Sequence, residues 1–84
     1  MDTYWEPFPV GLKRLRKSIG ISQWLAAELF NVSPRLVGFW EQGLRVPGVE
    51  YLWFASYSKN KHVREFARAE VQKRLPGVRF GRRS

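Results

Sequence analysis

Apolar side chains recur along most of the chain at intervals of three and four residues, the spacing that places them on one face of an α-helix. In the first such stretch Leu12, Leu15 and Ile19 form one stripe. No segment shows the alternation of apolar and polar residues that is typical of a half-buried strand. The pattern therefore predicts an all-α fold of about five short helices, over residues 10–19, 23–30, 34–43, 48–57 and 60–75.

The second and third predicted helices are separated by a turn of only three residues. Asn31 tolerates the left-handed backbone conformation that a tight turn demands, and it can therefore replace glycine there. Ser33 is a favourable N-cap, and Pro34 then occupies the first helical position, where its missing N–H costs nothing. Gly43 ends the third helix. Two helices joined by so short a turn indicate helix-turn-helix architecture.

The residues around this turn make the pattern more specific, because a set of them stands at the spacing of a known family. These residues are Ser22, Gln23, Ala27, Val32, Ser33, Val37, Trp40, Glu41, Gly43 and Pro47. Over residues 12–55 the chain resembles the phage-repressor/Cro (XRE-type) helix-turn-helix family. The resemblance implies a lambda-repressor-like helix bundle in which the second helix lies across the DNA backbone and the third enters the major groove.

Helix geometry predicts one ion pair independently of the resemblance. At about 100° per residue, Arg16 falls in the stripe of Leu12, so its guanidinium points toward the apolar side of the first helix. Glu41 lies beside the inward stripe of Val37 and Trp40 in the third. An unpaired charge facing a core costs several kcal/mol, so we expect Arg16 and Glu41 to form a bidentate pair that fixes the angle of the third helix. The resemblance implies the same pairing, and the alternative is that both side chains reach solvent.

The outward face of the third helix carries the predicted base-reading residues, which are Arg35, Phe39, Gly38 and Pro34. Arg35 can donate two hydrogen bonds to guanine O6 and N7, and Phe39 can touch a thymine methyl group. Gly38 costs helix stability, which suggests a close approach of the backbone to DNA or to a neighbouring helix. Two alternatives stay open: Arg35 binds phosphate only, or Phe39 packs on Trp24 or belongs to a protein interface.

A second group of residues would hold the duplex in place without reading its sequence. The resemblance implies that Gln23, at the N-terminus of the second helix, binds phosphate, where the helix dipole adds to its amide. It implies similar contacts for Ser33, Gln42 and Arg45 around the third helix. Three basic residues of the first helix lie off its apolar stripe and either attract DNA or only solvate the surface: Lys13, Arg14 and Lys17.

Composition favours a polyanionic partner and excludes several classes of site. The 84 residues include 15 basic and 7 acidic ones, for a net charge of +8, and the excess lies in residues 11–20 and 58–84. Such basicity is typical of nucleic-acid binding. Cysteine is absent and there is one histidine, so we expect no metal and no cofactor. No nucleophile–base pair or phosphate-binding glycine loop indicates an enzyme.

The chain divides into an extended aromatic and proline-rich segment (residues 1–9), the helix-turn-helix domain with its C-terminal helix (10–75) and a basic tail (76–84). The first segment packs over the core or across a dimer interface. The fourth helix is apolar on most sides, which predicts a largely buried element. The apolar face of the fifth helix completes the core or dimerises, and the tail is a basic arm on DNA or a solvated end.

The interpretation that best fits these features is a sequence-specific double-stranded DNA-binding transcriptional regulator. We expect a repressor of a phage or plasmid that binds an inverted repeat as a homodimer. The alternative is an antitoxin-type interaction module, with a toxin or co-regulator as protein partner and autoregulatory DNA binding; a third is a non-specific nucleic-acid binder. No apolar run reaches the length of a membrane span and no secretory signal is present, so the expected location is cytoplasmic, without a membrane partner.

Overall fold

The computed structural model describes residues 7–80, and the fold of this part of the chain is all-α. The prediction of five short helices is confirmed, and residues 7–80 contain no strand. None of the helices in that range is long and apolar enough to cross a membrane. The helices are α1 (Phe8–Ile19), α2 (Gln23–Phe30), α3 (Pro34–Gln42), α4 (Val49–Ala55) and α5 (Lys61–Arg74).

The first helix begins earlier than the hydrophobic pattern predicts. Pro7 is its N-cap, and Phe8 and Pro9 form its first turn, where a proline without an N–H costs nothing. Phe8 is buried, and its ring packs edge-on against Trp40 with the centroids 5.9 Å apart. The prediction of an extended segment is therefore wrong for Phe8 and Pro9, while residues 1–6 lie outside the described residues.

The hydrophobic core forms around Trp40 of α3, which is only 1% exposed. Its indole packs edge-on against Phe30 of α2, with centroids 5.6 Å apart, and lies 5.9 Å from the ring of Tyr51 in α4. An aromatic side chain of this size buries about 150–250 Å² and dominates the energetics of a small core. The orientation of α3 is therefore held from within by its largest side chain.

The fifth helix closes this core. Its Val63, Ala67 and Val71 side chains are fully buried, and the helix packs against α4 and α1. The side chain of Asn60 caps its N-terminus by accepting a hydrogen bond from the backbone N–H of Val63 at 3.0 Å. Of the two roles open to the apolar face of this helix, completion of the monomer core is the one found.

The segment after α5 returns to the helices. Phe80 packs against Trp53 of α4, with ring centroids 5.5 Å apart, and the guanidinium carbon of Arg68 lies 4.8 Å from the centre of the Phe80 ring. The amide of Gln72 donates a hydrogen bond to the carbonyl of Val78 at 3.3 Å. As far as Phe80 the tail therefore packs on the domain and is not a solvated end, and residues 81–84 lie outside the described part.

The fourth helix is not largely buried, contrary to the prediction. Leu52 and Ala55 are fully buried in the core. Val49, Trp53 and Phe54, on its other side, are exposed. Phe80 covers Trp53 only in part, and an apolar helix surface this exposed is unusual in a monomer.

The turn between α2 and α3 has the geometry expected from its residues. Asn31 is in the left-handed conformation, with φ 61° and ψ 46°. The backbone N–H of Val32 donates to the carbonyl of Ala27 at 2.9 Å, which closes the end of α2. The hydroxyl of Ser33 accepts a hydrogen bond from the N–H of Leu36 at 3.2 Å and caps α3. These contacts fix where α3 begins relative to α2.

Replacing Asn31 tests the geometry of this turn. Asn31→Ala should lower the free energy of unfolding by about 1 kcal/mol, because a Cβ without a local hydrogen-bonding group is disfavoured at positive φ. Asn31→Gly, which adopts this conformation freely, should be more stable than Asn31→Ala. Urea denaturation followed by circular dichroism measures both variants, and the reverse order of stability would contradict the turn geometry.

Candidate nucleic-acid interface

Arg16 and Glu41 form the bidentate ion pair that the helical stripes predict. The Nε of Arg16 donates to Oε2 of Glu41 at 2.6 Å, and its terminal nitrogen donates to Oε1 at 3.0 Å. The Arg16 side chain is 15% exposed and that of Glu41 only 3%. The contact therefore joins α1 to α3 at the edge of the core, on the inner side of the helix proposed to read DNA.

Gln23 is a third member of this cluster, which the sequence analysis missed. Its Nε2 donates to Oε1 of Glu41 at 3.1 Å, so α2 is tied to the same carboxylate. Another Arg16 nitrogen donates to the carbonyl of Ile21 at 3.2 Å, in the loop before α2. Gln23 was predicted to bind phosphate, and with one amide hydrogen directed to Glu41 its second amide hydrogen is the one that can do so.

The cluster shifts the pKa of both charged groups in the direction that keeps them ionised. Burial raises the pKa of Glu41. The hydrogen bonds from Arg16 and Gln23 and the positive charges of Arg16 and Lys13 lower it by more than burial raises it, so the pKa lies below the ordinary value. The hydrogen bond to Glu41 raises the pKa of Arg16. The carboxylate is therefore negative at neutral pH and holds all of its donors.

The outer face of α3 presents Arg35 and Gln42 to solvent, with Phe39 half-buried between them. The guanidinium carbons of Arg35 and of Arg45, in the following loop, each lie 5.8 Å from the centre of the Phe39 ring. Cation–π attraction at such distances holds two flexible side chains near one ring. We call Arg35, Phe39 and Arg45 the α3 basic face.

Trp24 does not take part in this face. It is the aromatic residue proposed as a packing partner of Phe39, but within the described residues the two rings make no contact and Trp24 is largely exposed. A Cβ added to Gly38 would meet no atom within 4 Å, so the glycine does not serve close packing against another helix. The space beside Gly38 opens outward, where an external molecule can approach the backbone.

Two further predicted contact residues lie at the start of α3. Pro34 is partly buried in its first turn. Ser33 uses its hydroxyl oxygen to cap the helix and keeps its O–H as a donor for an external acceptor. Both lie in the same turn of the chain as Arg35, so the structure brings them together with the α3 basic face.

The basic residues of α1 form a second positive surface next to α3. Lys13, Arg14 and Lys17 line a shallow cavity of about 310 Å³ together with Glu41. The cavity continues to the N-terminus of α1, and Pro9 there lies 3.9 Å from the position of a Cβ on Gly43, at the end of α3. This cluster therefore borders the C-terminal end of α3 rather than the far side of the molecule.

No model of a known protein family matches the chain, and no curated protein or solved structure matches it.

We predict that Glu41→Gln lowers the free energy of unfolding by about 2 kcal/mol at neutral pH, because it removes the charge from the hydrogen bonds that Arg16 and Gln23 donate. The pKa of Glu41 is depressed in the folded state, so its contribution is present above the ordinary carboxyl pKa and is lost as the pH falls through the folded-state pKa. Urea denaturation should therefore show that the difference between Glu41→Gln and the unchanged chain is constant from neutral pH down to the ordinary carboxyl pKa and shrinks as the pH falls below it. A difference that stays constant below that pKa would contradict the ion pair.

Proposed function

We propose that this chain is a sequence-specific double-stranded DNA-binding transcriptional regulator, a repressor that acts as a homodimer on an inverted repeat in the cytoplasm. The single observation that carries the proposal is the α3 basic face. The outer side of α3 presents Arg35 and the half-buried Phe39, and Arg45 joins them from the loop after the helix. Arg16 holds the same helix from behind through Glu41.

The dimensions of α3 agree with this role. An α-helix with its side chains is about 10–12 Å wide, and the major groove of B-DNA is about 12 Å wide. Arg35 lies in the first turn of α3, the end of a recognition helix that contacts base edges. Its planar guanidinium matches the two acceptors of guanine, which makes it the residue for base recognition.

Phosphate contacts come from the surroundings of this helix. Arg45 and Gln42 are exposed at its C-terminal end, and the basic cluster of α1 borders that end. Each positive side chain that neutralises a phosphate releases counterions, which supplies affinity without sequence preference. The basic residues thus hold the protein on the duplex while Arg35 discriminates between bases.

One copy of α3 reads too little DNA to define a site. Its nine residues span about 14 Å, or about four base pairs. Two copies related by a two-fold axis contact half-sites about 34 Å apart and double the information read. The regulator needs no chemistry of its own, because a dimer bound over a promoter excludes the polymerase.

We predict different effects for alanine variants of the two arginines that flank Phe39. The variants are a matched pair, because each removes one exposed positive charge. A duplex selected from a random pool by binding to the unchanged chain supplies the specific site. Arg35→Ala should weaken binding to this duplex by about 1–3 kcal/mol and relax the preference at one position of each half-site. Arg45→Ala should weaken binding to specific and scrambled duplexes alike. It should also lower the salt slope, the dependence of log affinity on log salt concentration, by about 1.

Fluorescence anisotropy titrations of labelled duplexes at several salt concentrations measure both effects. Equal losses on specific and scrambled DNA for Arg35→Ala would contradict its base-reading role. Failure of the selection to enrich any sequence would contradict the proposed function and favour a non-specific binder. Loss of all preference at about 200 mM salt would lead to the same conclusion, since charge-driven affinity falls steeply with salt.

We predict that Phe39 acts by positioning its two neighbouring arginines. Phe39→Leu keeps an apolar side chain but removes the ring, and with it two exposed cation–π contacts of about 0.5–1 kcal/mol each. This loss should weaken binding to the selected duplex about tenfold. Phe39→Tyr keeps the ring and should bind like the unchanged chain. Equal affinities for Phe39→Leu and Phe39→Tyr would contradict this role.

A further inference from the structure

The outer side of α4 is an exposed aromatic surface. The ring of Phe80 covers part of Trp53 and Tyr57, and the surface stays open beside it: Trp53 is 40% exposed, Phe54 53% and Tyr57, just beyond the helix, 61%. The inner side of the same helix, with Leu52 and Ala55, is fully buried. A contiguous apolar surface of this kind on a small domain marks an interaction site more often than chance exposure.

This surface faces a groove, which we call the α4 groove. It has a volume of about 590 Å³ and runs between α4 and α2. Its residues are Glu28, Leu29, Trp53, Phe54, Tyr57, Ser58 and Lys59. The apolar residues form most of its wall, and Glu28 and Lys59 supply one negative and one positive charge.

The two charges indicate what the groove binds. Glu28 and Lys59 form no ion pair with each other among the described residues, although they line the same groove. In a two-fold symmetric interface each surface meets itself, so Glu28 of one copy can face Lys59 of the other, and the pair occurs twice. The surface is therefore self-complementary in charge.

The distribution of charge elsewhere limits where a second copy can bind. The chain has a net charge of +8, so two copies repel each other over most of their surfaces. The charged residues that line the α4 groove balance, whereas the α3 basic face and the α1 cluster are positive. Most of the apolar face of α5, one of the two dimerisation surfaces that the sequence predicts, is buried in the core, and residues 1–6 of the other lie outside the described residues.

We propose that the α4 groove binds a second copy of this chain, with Phe54 at the centre and two Glu28–Lys59 pairs at the rim. The proposal rests on the proposed function, because it supplies the homodimer that an inverted repeat requires. None of the residues that line the α4 groove belongs to the α3 basic face, so the two surfaces use separate side chains.

The size of the surface sets the strength of the dimer. The seven residues of α4 extend over only about 10 Å. A surface built on so short a helix is smaller than the area of about 800 Å² that each partner contributes to a standard interface. We therefore expect a dissociation constant between about 10 μM and about 1 mM in the absence of DNA. Two adjacent half-sites on one duplex then bring the copies together.

Sedimentation equilibrium of the whole chain without DNA, from about 10 μM to about 1 mM, tests the proposal. The unchanged chain should dimerise over this range. Phe54→Glu should weaken the dimer at least about thirtyfold, because it buries a charge twice at the symmetry axis. Val10→Glu is the matched control: Val10 is 47% exposed, lines the shallow cavity next to the basic residues of α1, and is not among the α4 groove residues, so this change should leave dimerisation unchanged.

A charge exchange tests the orientation of the two copies. Glu28→Lys and Lys59→Glu should each weaken the dimer, because like charges then meet across the axis. The double variant keeps the net charge at +8 and restores both pairs, so it should dimerise like the unchanged chain. Each change places a charge at the helix end that favours it, so the monomer should stay folded by circular dichroism.

A chain that stays monomeric at about 1 mM would overturn the proposal, and so would equal dimerisation of Phe54→Glu and Val10→Glu. Failure of the double variant to recover would overturn the two-fold pairing. Because the assay contains no DNA, these failures are distinct from failure of the proposed function. A separate DNA-binding measurement links the two proposals. A Phe54→Glu monomer that still binds a single half-site but loses affinity for the inverted repeat would support both the proposed function and the dimer through the α4 groove.

Discussion

The contact between Arg16 and Glu41 is the interaction on which the rest of the candidate interface depends. A nearly buried carboxylate is stable only where its donors are correctly placed, because the cost of desolvating two charges is offset only in good geometry. Gln23 donates to the same carboxylate, so α1, α2 and α3 meet at one side chain. The pair therefore acts as a constraint on the angle of α3 more than as a source of net stability.

The helices and the ion pair could be predicted because both follow from local rules. The stripe of Leu12 also contains Arg16, and a helix that turns a charge inward needs a partner on another helix. The start of α1 could not be predicted in this way. Phe8 lies between two prolines and has the sequence of an extended segment, and in the fold its ring packs against Trp40, more than thirty residues away, a contact that the local sequence does not reveal.

The candidate site was predictable to a different extent at each residue. Arg35 and Phe39 are four apart on one helix, so their proximity follows from helical spacing. The approach of Arg45 to the same ring depends on the path of the loop after Gly43, and the partner of Gln23 depends on how α2 packs on α3. The apolar sequence of α4 gives no means to distinguish a core surface from a surface that binds another molecule, since both need the same side chains.

The second helix connects the two surfaces that the proposals assign to DNA and to a second copy. Its first residue, Gln23, belongs to the cluster behind α3, and Glu28 and Leu29 near its other end line the α4 groove. Eight helical residues extend over about 12 Å, and the tightly packed core under α2 prevents it from sliding. In a dimer formed through the groove, the distance between the two copies of α3 is therefore set by rigid elements, and the spacing of half-sites becomes a property of the packing of α2.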